Sequence, residues 1–95
     1  METIEVTLYT KKQCPLCEKA ESALEAVKKK VPLSISSVDI YEDEALLEQY
    51  HIRIPVVEAN GEVIAEGIVT EAMLTTKLVE LARGIAISGS GKNNR

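Results

Sequence analysis

The chain's only two cysteines, Cys14 and Cys17, stand three residues apart near its start. They lie between an apolar run that ends at Tyr9 and a helical pattern that begins at Pro15. A Cys-x-x-Cys pair at such a junction, inside a βαβ pattern, is typical of a redox motif. One thiolate attacks a disulfide and forms a mixed disulfide, and the second thiol then releases the reduced product. Because residues three apart on a helix share a face, this spacing lets the two sulfurs meet.

The residues around Cys14 favour its thiolate form. Pro15 suits the first position of a helix, because its φ is fixed and its missing N–H is not needed there. Cys14 then becomes the cap residue, and the free N–H groups and positive end of the helix dipole face its sulfur. Lys11 and Lys12 add positive charge just upstream, and thiols in such surroundings ionise more readily than a free cysteine. We therefore expect Cys14 to be the nucleophile and Cys17 to be the less accessible resolving thiol.

Three other roles for the cysteine pair compete with redox chemistry. A disulfide between Cys14 and Cys17 would close a short loop and restrain the unfolded chain little. A zinc ion needs about four ligands, and the two cysteines with His51, the only histidine, supply three at most. Two inert buried thiols are a further alternative. The spacing favours redox chemistry and predicts no metal site.

The composition is that of one compact domain in a soluble protein. Of the 95 residues, 45% are hydrophobic and 27% are charged, and neither Trp nor Phe occurs, so the core has to be built from Val, Ile, Leu and Ala. A net charge of −4 without a basic stripe predicts no nucleic acid partner. No apolar run is long enough for a membrane span, and the first residues show no signal-peptide pattern. We expect a monomer in the cytoplasm. In that compartment a Cys pair is more often catalytic than structural.

Hydrophobic periodicity and turn residues predict the order β-α-β-α-β-β-α. The predicted elements are strands at 4–9 and 33–40, helices at 15–30 and 44–50, a strand entered through Pro55, a strand that ends at Gly67, and a last helix capped by Thr70. A helical crossover makes the first two strands parallel. The prediction is therefore an α/β fold, a four-stranded mixed sheet with helices on both faces.

The second strand changes the phase of its alternation. Leu33 and Ile35 are followed out of phase by Val38 and Ile40, so the strand is either buried on both faces or bulged near 36–37.

Between the third and fourth strands, residues 60–61 read Asn-Gly, which predicts a two-residue type I′ hairpin turn. Counting outward from this turn pairs Val57 with Ile64 and Glu58 with Val63.

The last helix is expected to end at Gly84, which suits a C-terminal cap. Its buried face is predicted to comprise Leu74, Leu78, Leu81 and Ile85. Residues 88–95 are rich in Gly, Ser and Asn and contain no apolar side chain, so we expect a disordered tail after a domain at 1–87.

Three segments, at 9–17, 38–43 and 50–56, together resemble glutaredoxins, and the resemblance covers about 4–83. It implies a thioredoxin fold, dithiol-disulfide exchange, and a cis peptide bond before Pro55. That bond would place the backbone of Ile54 beside the nucleophile, ready to pair with a substrate strand. Lys11 matches the family's lysine three residues before the first cysteine. The resemblance thus implies a substrate-binding set of Lys11, Leu16, Ile54 and Pro55.

The chain departs from glutathione-using glutaredoxins at two places. Leu16 stands where they usually carry an aromatic residue, and residues 67–71 lack their Gly-Gly and Asp. Glu71 would also repel a carboxylate docking at the start of that helix. The likeness is closest to a divergent, mostly bacterial group with a Tyr-x-x-Arg-Ile-Pro-Val segment, here 50–56. We therefore expect weak use of glutathione and no cofactor beyond the redox-active disulfide.

The leading hypothesis is a thiol-disulfide oxidoreductase. Its expected partners are disulfide-bearing proteins or small thiols, with a reductase as electron donor. One rival is a redox-silent module that binds a peptide or protein in the groove beside Pro55. Another is an iron–sulfur carrier that uses Cys14 from two protomers together with added thiols. This rival is weaker, because a dithiol motif with Pro15 at its second position tends to form its own disulfide.

Overall fold

The computed structural model of the chain describes residues 3–83. Its elements are β1 Ile4–Thr10, α1 Pro15–Lys28, β2 Leu33–Asp39, a 3₁₀ turn Ile40–Glu42, α2 Glu44–Tyr50, β3 Val56–Ala59, β4 Glu62–Glu66 and α3 Glu71–Ala82. The predicted order of strands and helices is confirmed, with the 3₁₀ turn as an addition. The expected cap at Gly84, the apolar Ile85 and the tail at 88–95 lie outside the described residues, so the domain boundary at 87 stays a prediction.

The four strands form one mixed sheet in the order β2-β1-β3-β4. β1 lies parallel to β2 and antiparallel to β3, and β3 lies antiparallel to β4. The side chains of β1 alternate between the two faces of the sheet, because successive side chains point to opposite sides of a strand. Ile4, Val6 and Leu8 are buried on one face, whereas Tyr9 points to the other.

Helices cover both faces of the sheet, as predicted. The larger apolar cluster joins α1 and α3 to the sheet, and its members include Ile4, Val6, Leu8, Ala20, Leu24, Val27, Val57, Leu74 and Leu78. A smaller cluster on the other face consists of Ile40, Tyr50 and Val56, against which α2 packs Leu46 and Leu47. Leu24 and Leu78 are fully buried. The core is therefore almost entirely aliphatic, as the lack of Trp and Phe requires.

The change of phase in β2 comes from burial at both faces and not from a bulge. All seven residues from Leu33 to Asp39 pair in regular register with β1. Leu33 and Ile35 pack against the larger cluster, while Val38 lies opposite Tyr9 and shares its face. This strand is an edge of the sheet, so its exposed positions are free to be polar.

The hairpin turn forms as predicted, but one of the two expected strand pairs is wrong. Asn60 and Gly61 both have positive φ, at 49° and 89°, which a type I′ turn requires. Glu58 pairs with Val63, whereas Val57 pairs with Ala65 and not with Ile64, because the register shifts between Val57 and Glu58. The extra residue in β4 lets the neighbours Ile64 and Ala65 both pack into the larger cluster, whereas in a regular strand they would point to opposite faces.

The helix starts are those that the sequence predicts, whereas α1 ends earlier. Asp43 accepts hydrogen bonds from Ala45 and Leu46 at 2.8 and 3.3 Å, and Thr70 accepts one from Met73 at 3.2 Å. α1 ends at Lys28, two residues before the predicted end at Lys30. The amides of the next two residues bond three residues back, to Ala26 and Val27, so the last turn tightens before Pro32.

The register places three loops at one end of the sheet. Tyr9, near the end of β1, pairs with Val56 at the start of β3, and Val56 pairs with Glu66 at the end of β4. Three segments therefore lie side by side: the loop after β1, the segment before β3 and the loop after β4. No helix among residues 3–83 is long and apolar enough to cross a membrane.

Candidate active site at the end of the sheet

The loop after β1 turns the chain back into α1. It runs through Lys11, Lys12 and Gln13, and Gln13 has a φ of 55° in the left-handed region. That conformation costs a non-glycine residue about 1 kcal/mol. It delivers Cys14 to the start of α1, on the same side of the sheet as the larger core cluster.

Cys14 is the cap residue of α1. Its backbone is extended, with φ −120° and ψ 101°, and Pro15 follows as the first helical residue. The N–H of Cys17 donates to the Cys14 sulfur at 3.1 Å, and the N–H of Glu18 donates to the Cys14 carbonyl at 3.0 Å. The sulfur therefore occupies the place where a cap side chain accepts the orphan donors of a helix end.

The two cysteines are joined by a disulfide, and their Cα atoms are 5.1 Å apart. Cys14 is 8% exposed and Cys17 is 3% exposed. The difference has the predicted direction, because Cys17 lies inside the first turn and faces the core.

A small cleft of about 220 Å³ lies beside the cysteines, and of the predicted substrate-binding set only Lys11 lines it. Lys11 and Lys12 line it together with Cys14 and Cys17. Both lysines are exposed, and neither takes part in an ion pair within residues 3–83. Their charges are thus available to an anion at the dithiol, including the thiolate itself.

The Ile54–Pro55 bond is cis, as the resemblance implies. Pro55 is fully buried and Ile54 is half-buried, and together they lead into β3 at the end of the sheet from which the Cys14 loop departs. The N–H of Gly67 donates to the Pro55 carbonyl at 2.8 Å, which fixes this segment to the end of β4. Gly67 can make this turn because its φ is +74°.

Leu16 and Glu71, the two departures from glutathione-using glutaredoxins, lie in different places. Leu16 follows the nucleophile and is 44% exposed. The Glu71 carboxylate lies 3.3 Å from the Lys30 ammonium, just beyond the C-terminal end of α1. A helix of 14 residues is about 21 Å long, so this ion pair holds the Glu71 carboxylate away from Cys14, which caps the other end.

Five side chains form a polar and aromatic network that sequence reasoning missed. The rings of Tyr9 and Tyr50 stack with centroids 4.6 Å apart, and the Arg53 guanidinium lies 5.2 Å from the centre of the Tyr50 ring. Nε and Nη2 of Arg53 donate to one oxygen of Glu66 at 3.1 and 2.6 Å. The hydroxyl of Tyr9 donates to Glu58 at 3.2 Å. Spacing along the chain points only to the Tyr50 and Arg53 pair, three residues apart.

The network shifts the pKa of two acidic side chains, Tyr9 and Glu66. Burial, followed by the nearby Glu58 carboxylate, raises the pKa of Tyr9 above its usual value of 10.0. The hydrogen bonds from Arg53 lower the pKa of Glu66 below its usual value of 4.5. Both shifts favour the protonation state that the hydrogen bonds need. Residues 3–83 contain no group of three or more His, Cys, Asp or Glu side chains placed to hold a metal ion.

A sequence profile of the family described as Glutaredoxin-like domain (DUF836) matches residues 5–79. An X-ray structure of a structural genomics target protein from X. campestris shares 29% identity, covers 78% of this chain and 95% of its own, and superposes with a TM-score of 0.68. A solution NMR structure of a Nitrosomonas europaea protein shares 22% identity over 82% of this chain and 94% of its own, with a TM-score of 0.72.

A mutant thioredoxin from Halobacterium salinarum shares 21% identity over 83% of this chain and 74% of its own, with a TM-score of 0.63. At that identity the likeness shows the fold alone, and the fold is that of thioredoxin. The family profile, by contrast, covers most of the chain and includes the dithiol and the Ile54–Pro55 segment. The protein therefore belongs to the glutaredoxin-like domain family.

Proposed function

We propose that the protein is a thiol-disulfide oxidoreductase that reduces disulfides with Cys14 and Cys17. The observation that carries this proposal is the position of the Cys14 sulfur. It caps α1, accepts the Cys17 N–H at 3.1 Å and is bonded to the one other cysteine in the chain. A helix N-terminus stabilises an anion at this place, so the reduced site holds a nucleophilic thiolate next to its resolving partner.

The reaction begins with the reduced dithiol. The Cys14 thiolate attacks one sulfur of a substrate disulfide, a mixed disulfide forms, and the other substrate sulfur leaves as a thiolate and takes up a proton. Cys17 then loses its proton and attacks the Cys14 sulfur, which displaces the second substrate thiolate. Two electrons pass to the substrate, and the protein is left with the Cys14–Cys17 disulfide. A reductase returns two electrons and one proton, which regenerates the Cys14 thiolate and the Cys17 thiol.

Substrate contacts are proposed for Lys11, Leu16, Ile54 and Pro55. Lys11 lines the cleft that contains both cysteines, and Leu16 presents an exposed apolar side chain beside them. The N–H of Ile54 already donates to the Tyr50 carbonyl at 3.2 Å. The Ile54 carbonyl accepts no hydrogen bond from residues 3–83, so it is the backbone group of this segment left for a substrate strand.

We propose a protein disulfide rather than a glutathione adduct as the main substrate. The exposed Leu16 offers an apolar contact where glutathione-using glutaredoxins carry an aromatic residue, and residues 67–71 lack the Gly-Gly and Asp of those proteins. We also propose the cytoplasm as its location, because a dithiol that must be re-reduced suits a reducing compartment. We further propose that it works as a monomer, because one chain supplies both cysteines. Saturable turnover with glutathione at millimolar levels would contradict the proposal that the main substrate is a protein disulfide.

Substitution of each cysteine in turn by serine tests the proposed function. We expect Cys14→Ser to abolish reduction of insulin in the presence of dithiothreitol. Cys17→Ser is expected to form a mixed disulfide that is not resolved, which mass spectrometry detects as trapped substrate. Insulin reduction by the wild type no faster than by dithiothreitol alone would favour the rival, a redox-silent binding module. Visible absorption of the freshly purified protein would instead indicate an iron–sulfur cluster.

A further inference from the structure

The segment between α2 and β3 is held at both of its ends. The N–H groups of Arg53 and Ile54 both donate to the Tyr50 carbonyl, at 2.8 and 3.2 Å. At the other end, the Pro55 carbonyl accepts from Gly67 at 2.8 Å. These bonds fix the backbone where it leaves α2 and where it enters the sheet.

The side chain of Arg53 adds a third link, which we name the arginine clamp and which consists of Tyr50, Arg53 and Glu66. The guanidinium lies 5.2 Å from the centre of the Tyr50 ring and donates to Glu66 through two nitrogens. Tyr50 is the last residue of α2 and Glu66 is the last residue of β4. Arg53 therefore bridges the ends of two elements across the segment that contains Ile54.

The clamp depends on a planar, forked cation. Arginine presents several donors in one plane and stacks on aromatic faces, whereas a lysine ammonium offers a single charged point. Tyr50 in turn stacks on Tyr9, at 4.6 Å between centroids, so its ring is held in place from the sheet. Tyr50 is 4% exposed, although the carboxylate and guanidinium of the ion pair remain partly open to solvent.

We propose that Arg53 is a positioning residue for disulfide exchange, because the arginine clamp fixes the Ile54–Pro55 backbone against which a polypeptide substrate docks. This proposal rests on the proposed function and adds a residue to it. Arg53 acts on the docking surface and not on the sulfur chemistry. Its loss therefore weakens the binding of substrates that use a peptide backbone, and leaves small disulfides and the reactivity of Cys14 unchanged.

The test compares two disulfides in single-turnover reactions of protein reduced beforehand with dithiothreitol. One is a quenched fluorescent peptide disulfide, and the other is 5,5′-dithiobis(2-nitrobenzoate), which has no peptide backbone. For Arg53→Met we expect the half-saturating concentration of the peptide to rise about threefold to tenfold, the range that a cation–π contact and an exposed ion pair support together. The maximal rate, the rate with the small disulfide and the alkylation rate of Cys14 should not change.

Two further variants make the test specific. Arg53→Lys keeps the charge and loses the planar fork, so its half-saturating peptide concentration should lie between those of Arg53→Met and the wild type. Lys30→Met removes the other ion pair, with Glu71, and should match the wild type with both disulfides.

Thermal unfolding is measured for all variants, and Arg53→Lys carries the test if Arg53→Met does not fold. If Arg53→Met slows the reduction of both disulfides equally, or leaves the half-saturating peptide concentration unchanged, the positioning role of Arg53 is wrong. Either result would leave the proposed function intact. A wild type that reduces neither disulfide would overturn the proposed function itself.

Discussion

The sulfur of Cys14 occupies the position that a serine or aspartate oxygen usually takes at a helix start. It accepts the Cys17 N–H at 3.1 Å in the oxidised protein. When the site is reduced and Cys14 is ionised, the same contact becomes a charge-assisted hydrogen bond, which is about twice as strong as a neutral one. The proposed nucleophile and the helix cap are thus one atom, and a substitution can separate the two roles.

We predict that Cys14→Ser and Cys14→Ala differ in stability although both lose exchange activity. A serine oxygen still caps α1, whereas alanine leaves the Cys17 N–H without its acceptor. The free energy of unfolding of the alanine variant should be lower by about 1 kcal/mol. Urea unfolding of both variants under reducing conditions measures the difference. Equal midpoints and slopes would contradict a capping role for the sulfur.

A second residue-scale prediction concerns Leu24, which is fully buried between α1 and the sheet. Leu24→Ala should lower the free energy of unfolding by about 2–5 kcal/mol, because the aliphatic core closes only partly around the cavity. Ile52→Ala is the matched control, since Ile52 is 89% exposed, and its effect should stay within about 0.5 kcal/mol. Urea unfolding of the oxidised proteins measures both, and similar losses would contradict the assigned core.

At the scale of elements, the β3–β4 hairpin is joined to β1 by its turn. Asn60 donates its N–H to the Glu5 carbonyl at 2.9 Å, and its side-chain oxygen accepts the Glu5 N–H at 3.2 Å. Asn60 therefore has two tasks, the left-handed turn and a continuation of the sheet. Asparagine suits both, because it tolerates positive φ and carries an acceptor.

Two substitutions at position 60 should separate these tasks. Asn60→Gly keeps the turn conformation and loses only the side-chain acceptor, so we expect a loss of about 1 kcal/mol in the free energy of unfolding. Asn60→Ala loses the acceptor and must also hold a positive φ, which adds about 1 kcal/mol. Urea unfolding orders the wild type, the glycine variant and the alanine variant. An alanine variant as stable as the glycine variant would contradict the strain at this position.

Sequence patterns predict where the three helices begin, because each helix start depends on one or two neighbouring residues. Asp43 and Thr70 cap their helices through side-chain oxygens, and Pro15 occupies the first turn of α1. The shifted pair at Val57 was not predictable in this way. It depends on whether Ile64 and Ala65 both find room in the core, and that is a property of the packed helices and not of the turn.

At the scale of the whole molecule, the stability should depend on pH at both extremes. The folded pKa of Glu66 is lowered by Arg53, so its contribution to stability is present above the unfolded pKa and is lost as pH falls through the folded value. The folded pKa of Tyr9 is raised by burial and by Glu58, so its contribution is present below the unfolded value of 10.0 and is lost as pH rises through the folded value.

Two variants should isolate these contributions. Glu66→Gln should flatten the acid side of the stability profile, below the usual carboxylate range, and leave the alkaline side unchanged. Tyr9→Phe should flatten the alkaline side and leave the acid side unchanged. Urea unfolding at a series of pH values measures both. A Glu66→Gln profile that parallels the wild type in acid would show that the ion pair contributes nothing to folding.

The dithiol was predictable from sequence and the arginine clamp was not, for a physical reason. Cys14 and Cys17 act over one helical turn, so their spacing carries the whole signal. Arg53 and Glu66 meet because β3 and β4 form a hairpin whose register is shifted. The stack of Tyr50 on Tyr9 needs the end of α2 to lie over β1. Contacts of this kind depend on tertiary packing, which no local pattern encodes.

The Asn60–Gly61 turn lies at the opposite end of the sheet from the cysteines, because Asn60 bonds to Glu5 near the start of β1 while Cys14 follows its end. The chain has no cysteine besides the dithiol pair, and Glu62 is exposed beside the turn. A Glu62→Cys variant, coupled while Cys14 and Cys17 are joined as their disulfide, would have a single attachment point and would orient every copy with its dithiol away from a solid support. On an electrode, all molecules of such a layer would have the same access to dissolved disulfides. The current from thiol-disulfide exchange would then come only from the Cys14–Cys17 pair.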